Sequence, residues 1–216
     1  MWRVLLSVVM ILAPPAARAC DVALLLAVDV SSSIDAAEYR LQIDGMADAF
    51  ADPEIAARLV EGQIAVAVLQ WSGPEAQALS LPWQRMTDPA AVRALAQRTR
   101  LLPRAFTLSG TAPGDAIHAA LGHLRAGPAC ARQVIDISGD GTANAGLAPA
   151  PARRAAERAG VTINGIAIEH MGLSLTNYYR WRLTTADGFV VTARGHRDYP
   201  RAIRAKILRE ISKILG

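Results

Sequence analysis

The sequence predicts an α/β fold: a doubly wound, mostly parallel sheet flanked by helices. Three observations carry that prediction. Short apolar, β-rich runs alternate with stretches of helical periodicity from residue 22 onward. The first run, Val22-Ala23-Leu24-Leu25-Leu26-Ala27-Val28, is continuously apolar, as a central parallel strand covered on both faces requires. Carboxylates, hydroxyls and glycines then gather just after these runs. In such folds ligands bind there, beyond the carboxyl ends of the strands.

Residues 1–19 read as a secretory signal peptide. Met1-Trp2-Arg3 is a basic start, Val4 to Ala13 an apolar core, Pro14-Pro15 a helix break and Ala17-Arg18-Ala19 a cleavage site. The apolar run is too short for a membrane span. A lipoprotein reading would lipidate Cys20, but Ala17-Arg18 lacks the leucine expected there and carries a charge. Periplasmic export or secretion is expected, with no stable membrane insertion after cleavage. Residues 20–216 then suffice for one domain with a single core.

After the first strand, Ala36 to Phe50 shows helical spacing of Tyr39, Leu41, Ile43, Met46, Ala47 and Phe50. Ile64 to Trp71 is a second strand, and Ala78 to Leu81 a short edge strand reached through Gly73-Pro74. Pro89 to Arg100 is a helix with Asp88 as N-cap and Pro at its first position. Ser109 to Asp115 is a turn into a helix over Ala116 to Leu124. Val134 to Ser138 is a strand, Pro151 to Ala159 a helix and Val161 to Ile168 a strand. Tyr178, Tyr179 and Trp181 fall in an irregular helical connection before a last strand, Phe189 to Ala193. In the final helix Ile203, Ile207, Leu208, Ile211, Ile214 and Leu215 form the packed face. Arg201, Arg204, Lys206, Arg209 and Lys213 form a solvated basic face.

Arg3 and Arg18 supply two of the four net positive charges, so the mature domain is only weakly basic. No basic run is interleaved with aromatics, and a nucleic-acid role is not expected. Cys20 precedes the first strand and Cys130 the strand at Val134. If those strands are parallel neighbours, the cysteines share a sheet edge opposite Asp29 and can form a disulfide in an oxidising compartment. Two unrelated cysteines are the alternative.

Asp29, Ser31 and Ser33 follow the first strand as D-x-S-x-S, Asp140 follows the strand at Val134, and Thr111 opens the helix feeding that strand. Two carboxylates, three hydroxyls and water make a hard-oxygen site for a cation such as Mg²⁺. Each member has a plainer reading. Ser32 with Asp35, or Ser33 alone, can cap a helix; Thr111 can be an N-cap; Asp140-Gly141 is a common turn. Their joint placement favours the metal. Asp136, inside a strand, is set outside the site and expected to meet a buried partner, while Asp44 and Asp48 fit a solvated helix face. His118 and His123 are five apart, not at metal-pair spacing, and with His170 and His196 read as surface or packing residues. Trp71, Trp83 and Trp181 read as packing residues, with Trp71-Ser72-Gly73 as an alternative rim of the site.

The ordered set Asp29, Ser31, Ser33, then Ser109-Gly110-Thr111, then Ser138-Gly139-Asp140-Gly141 resembles the metal-ion-dependent adhesion site of von Willebrand factor type A (VWA) domains. The resemblance spans nearly all of residues 20–216. More narrowly, CDVALLLAVDVSSSID, IAVAVLQWSG, VIDISGDG and GVTINGIAIE resemble an exported bacterial group of such domains, often labelled DUF1194. The resemblance implies a VWA, Rossmann-like fold. It also implies that Ser31, Ser33 and Thr111 offer hydroxyl oxygens to Mg²⁺ or Mn²⁺, with Ca²⁺ a further option. Asp29 and Asp140 then act through bound water or hydrogen bonds to the ligands. A cation so held stays electrophilic and takes a carboxylate from a partner protein. Ala112-Pro113 after Thr111 departs from the family's pattern. The expected function is metal-dependent protein binding without catalysis. A metal-assisted phosphoester hydrolase is the rival, although the chain lacks a D-x-D nucleophile pair, a G-x-S-x-G elbow and a Walker loop. A metal-free scaffold is the third reading.

Overall fold

Strand β1 (Val22–Asp29) is buried along its whole length, and the sheet is built outward from it. The structure, a computed structural model, describes residues 20–107 and 109–212. The signal-peptide reading of residues 1–19 and the helix positions Lys213, Ile214 and Leu215 lie outside the described residues. On one side β1 pairs in parallel with β2 (Ala65–Trp71), which β3 (Gln77–Arg85) borders antiparallel. On the other side come β4 (Arg132–Gly139), β5 (Val161–Ile168) and β6 (Val190–Ala193), all parallel. The order is β3-β2-β1-β4-β5-β6, so the winding reverses between β1 and β4. Ligand crevices form at such a reversal.

Successive strand residues point to opposite faces. Val22, Leu24, Leu26 and Val28 therefore enter one core. Helices α1 (Ala36–Ala51), α2 (Pro53–Glu61), α3 (Pro89–Arg100) and α7 (Tyr199–Ser212) complete it. Ala23, Leu25 and Ala27 enter the other, beneath α4 (Pro113–Arg125), α5 (Pro149–Arg158) and α6 (Ser174–Tyr178). A π-helical turn, Tyr179–Leu183, continues α6 and adds Tyr179 and Leu183 to that second core. Each fully buried leucine contributes about 1.5–3 kcal/mol. Both faces of β1 are thus paid for by side chains of its own strand.

Several elements differ from the expectation. Residues 53–61, passed over in the sequence, form α2: Asp52 accepts from the amides of Glu54 and Ile55, and Pro53 opens the first turn. The same Asp-Pro device caps α3, where Asp88 accepts from Ala90 and Ala91. Strand β3 runs on to Arg85, past the expected end at Leu81, because a register shift opposite Val66–Val68 accommodates Pro82, which has no amide to give the ladder. Helix α4 starts at Pro113, ahead of Ala116, with proline in its first turn.

Lys206 is the main correction to the final helix. It is fully buried, with Nζ 2.6 Å from Asp136 Oδ1 and 2.6 Å from Glu210 Oε1. Asn164 Nδ2 donates to the same Glu210 oxygen at 2.8 Å. The lysine faces β4, not solvent, because Asp136 needs a cation there. Burial raises the Asp136 carboxyl above its usual range while Lys206 pulls it back. Asp44 and Asp48 keep their exposed face and pair with Arg40 and Arg100.

Cys20 and Cys130 form a disulfide. Beside it the amide of Ala131 donates to Cys20 O and that of Arg132 to Asp21 O, at the amino end of β1 and β4.

Lys206→Met leaves two buried carboxylates without their cation and is expected to cost about 3–5 kcal/mol. Protonating Asp136, whose carboxyl burial raises, removes unpaired charge, so the deficit read from urea unfolding should be smaller at about pH 4 than at about pH 8. The bridge spans 110 residues of sequence. Replacing both cysteines with serine should lower unfolding free energy by about 2–5 kcal/mol.

Candidate functional site

Where β1 ends, the chain turns out of the sheet on a local hydrogen bond. Asp29 Oδ1 accepts from the Ser31 amide at 2.7 Å, the Asx geometry that lets a strand give way to a turn. Helix α1 does not begin on the serines. Asp35 caps it, accepting from Glu38 N at 2.8 Å while Glu38 Oε2 accepts from Asp35 N at 2.9 Å. Neither Ser32 nor Ser33 is a cap, and both hydroxyls are released from that duty.

The five expected site residues come together. Ser31 Oγ and Ser33 Oγ are 3.1 Å apart, Thr111 Oγ1 donates to Ser31 Oγ at 3.3 Å, and Ser33 Oγ donates to Asp140 Oδ1 at 2.7 Å. Asp29, Ser31 and Thr111 are buried, Asp140 is half-buried and Ser33 is exposed. The group is therefore a crevice with a dry floor and an open rim. Thr111 is not the cap of α4, whose N-cap is Ala112 with no side-chain bond.

Residues distant in sequence hold the crevice in shape. Arg104 Nη2 donates to Val30 O at 3.0 Å and to Ser31 O at 2.8 Å, fixing the serine turn. Arg104 is itself placed by Gln70 of β2, which donates to Pro103 O and accepts from Ala105 N, each at 2.9 Å. Asn144 Oδ1 accepts from Thr111 N at 2.7 Å, and its amide donates to Thr111 O at 3.0 Å. These contacts join positions 33 to 74 residues apart. Ser72, beyond buried Trp71, donates to Gly110 O at 3.2 Å and so supports the Thr111 turn from beneath.

Tyr179 is a further residue missed. It is fully buried, its hydroxyl has no hydrogen-bond partner, and Asp29 Oδ2 likewise has none. A Cβ built on Gly139 would lie 2.6 Å from each of these two oxygens. Glycine is what lets both polar groups approach the end of β4. Burial pushes the Asp29 carboxyl up to about 7, the Ser31 hydrogen bonds oppose this, and the Asp140 charge adds to it. Burial, then the nearby Asp29 and Asp140 charges, push the Tyr179 hydroxyl well above its ordinary value.

The donor set suits a hard divalent ion: hydroxyl and carboxylate oxygens, with one buried carboxylate oxygen lacking a partner. Among the described residues no cluster of three His, Cys, Asp or Glu side chains has metal-binding geometry, so hydroxyls dominate any such site. Asp136 is not in the crevice, being committed to Lys206. His118 and His170 are exposed, while His196 is buried with Nδ1 3.0 Å from Glu38 Oε1. Trp83 Nε1 donates to His123 O, and Trp181 is exposed, contrary to the packing expectation.

Residues 19–215 match the model of a family described as "Protein of unknown function (DUF1194)". No curated protein matches the chain. Among solved structures, it is similar to proximal thread matrix protein 1 from the mussel byssus with a zinc occupied MIDAS motif. That match has 16% identity and a TM-score of 0.65 over 89% of this chain and 46% of the other. A von Willebrand factor type A protein from Catenulispora acidiphila matches at 18% identity and TM-score 0.62, over 88% and 42%. The vWF domain of the type V pili tip protein Mfa5 from Porphyromonas gingivalis matches at 12% identity and TM-score 0.63, over 90% and 95%. The chain spans about half the length of the first solved structures it matches. At these identities the likeness establishes the VWA fold.

Gly139→Ala should cost about 1–3 kcal/mol in urea unfolding, since its methyl collides with Asp29 and Tyr179. Gly141→Ala meets nothing nearer than Thr111 Oγ1 at 3.6 Å and should stay within about 0.5 kcal/mol of the parent.

Proposed function

We propose, starting from the fact that this chain belongs to the DUF1194 family, that residues 20–216 form an exported binding domain. In this reading residues 1–19 are its signal peptide, and it works in the periplasm or outside the cell. A divalent cation, Mg²⁺ or Mn²⁺ with Ca²⁺ as a further option, is held at Asp29, Ser31, Ser33, Thr111 and Asp140. A carboxylate from a partner protein completes its shell.

One observation carries the reading. Asp29 Oδ2 is buried without a hydrogen-bond partner, and the other oxygen of the same carboxyl holds the turn that brings Ser31 and Ser33 together with Thr111 and Asp140. Leaving a buried charged oxygen unpaired is costly, and a cation supplies what it lacks. Neutral hydroxyl ligands withdraw little of the cation's charge, which is why an outside carboxylate is attractive to it. The part of each protein residue is to orient oxygen and exclude water. Arg104 and Asn144 keep Ser31 and Thr111 in place, and Ser33 with Asp140 forms the open side.

The disulfide supports export, because such bridges persist in oxidising compartments. Among the described residues no helix is long and apolar enough to cross a membrane. The solved neighbours whose printed descriptions mention a MIDAS motif or a pilus tip support divalent-ion binding and protein contact. A phosphoester hydrolase would want a second acid beside Asp140, and Asp136, two residues upstream of Ser138 on the same strand, is held by Lys206 in the core.

Calorimetry with Mg²⁺ and Mn²⁺, with and without glutarate as a carboxylate probe, tests the proposal. Saturable binding is expected, weakened by about tenfold or more in Asp29→Ala and in Ser33→Ala. Ser33 is exposed and caps nothing, so its variant should retain the parent's unfolding midpoint. Failure of both ions to bind, even with glutarate, would leave the fold as a metal-free scaffold.

A further inference from the structure

A second groove lies at the β6 side of the sheet, and none of the five crevice residues lines it. Its volume is about 600 Å³. It runs between α5, the π-helical turn and the segment entering β6, and reaches Arg209 of α7. Three arginines, Arg153, Arg180 and Arg209, line it against a single acid, Glu157.

The arginines are only partly committed within the fold: Arg153 is in a long ion pair with Glu157 and Arg209 stacks on an aromatic ring. Arg153 Nη1 donates to Trp181 O at 2.9 Å, and its Nε is 3.8 Å from Glu157 Oε1, beyond hydrogen-bond reach. The Arg209 guanidinium lies 3.8 Å from the centroid of the Phe189 ring. Arg180 is exposed and forms no ion pair among the described residues. Beside them the Trp181 indole is 69% exposed, although covering a tryptophan is among the most favourable contacts available to a protein surface.

These features select a chemical class. Grouped guanidinium forks suit a planar carboxylate. An uncovered indole suits a ligand with an apolar face. Glu157 suits a ligand that also donates a hydroxyl. A sugar acid meets all three requirements, since it carries a pyranose C–H face, one carboxylate and several hydroxyl donors. We infer that this groove binds an acidic saccharide, with the sugar ring on Trp181, its carboxylate at Arg180 and Arg209, and a hydroxyl at Glu157. A glutamate-rich peptide meets the arginines but brings neither a hydroxyl for Glu157 nor an apolar face for the indole.

The inference is independent of the cation crevice, and its test keeps the two apart. Trigalacturonate is titrated into the whole protein in EDTA at low salt, followed by tryptophan emission and calorimetry. Saturable binding is expected, weakened by about tenfold or more in Trp181→Ala and in Arg180→Gln and unchanged in Asp29→Ala. Both altered side chains are exposed, so the unfolding midpoints should match the parent. Neutral galactotriose should bind about tenfold more weakly or not at all. Absence of saturable trigalacturonate binding overturns the inference, as does undiminished binding by Trp181→Ala. Equal binding of hexaglutamate also overturns it and reassigns the groove to acidic peptides.

Discussion

A carboxylate withdrawn from water has to be hydrogen-bonded, paired or neutralised, and Asp29 ends a strand on which no residue is exposed. The fold meets half of that requirement from within. The Ser31 amide satisfies one oxygen, which in turn creates the bend that brings Ser31 and Ser33 over the sheet edge. Arg104 is near enough to favour the charged form of Asp29, yet its Nη2 is taken by the carbonyls of Val30 and Ser31. The second carboxylate oxygen faces Gly139 and the buried Tyr179 hydroxyl. Most of the surrounding architecture, from Gln70 beneath the Arg104 segment to Asn144 behind Thr111, keeps this arrangement dry and in register.

A second buried aspartate shows the other way to meet the same requirement. Asp136 lies on β4, one strand away, and is as deeply enclosed as Asp29. There the fold supplies a full counter-charge from α7, with Glu210 and Asn164 completing the set. Both aspartates are raised by burial, but one is paired with a cation within the protein while the other keeps an oxygen without a partner. That difference distinguishes the two positions more clearly than residue type does.

Features governed by local chemistry were legible in the sequence. The run Val161 to Ile168 ends where the strand ends, and Asp88-Pro89 marks the start of α3 to the residue. The identical signal at Asp52-Pro53 went unread because α2 buries only Ile55 and Leu59, too short a stripe to show a period. The five crevice residues were legible because each stands just after a strand or just before a helix, in a fixed order. Periodicity places Lys206 on the solvated face because it records which positions share a face and says nothing of a carboxylate waiting on another strand. Arg104, Asn144 and Tyr179 have the same origin: each owes its role to a neighbour distant in sequence.

The disulfide has a mechanical consequence. Strands β1 and β4 lie side by side in parallel, carrying Asp29 and Asp140 beyond one end and the Cys20–Cys130 bridge before the other. A pull applied to Asp29 or to Asp140 alone would load the hydrogen bonds between the two strands in shear. Sliding one strand past the other would have to lengthen a covalent link at the far end. The pair behaves as a pinned lap joint, in which the backbone ladder shares the load and the bridge forbids slip.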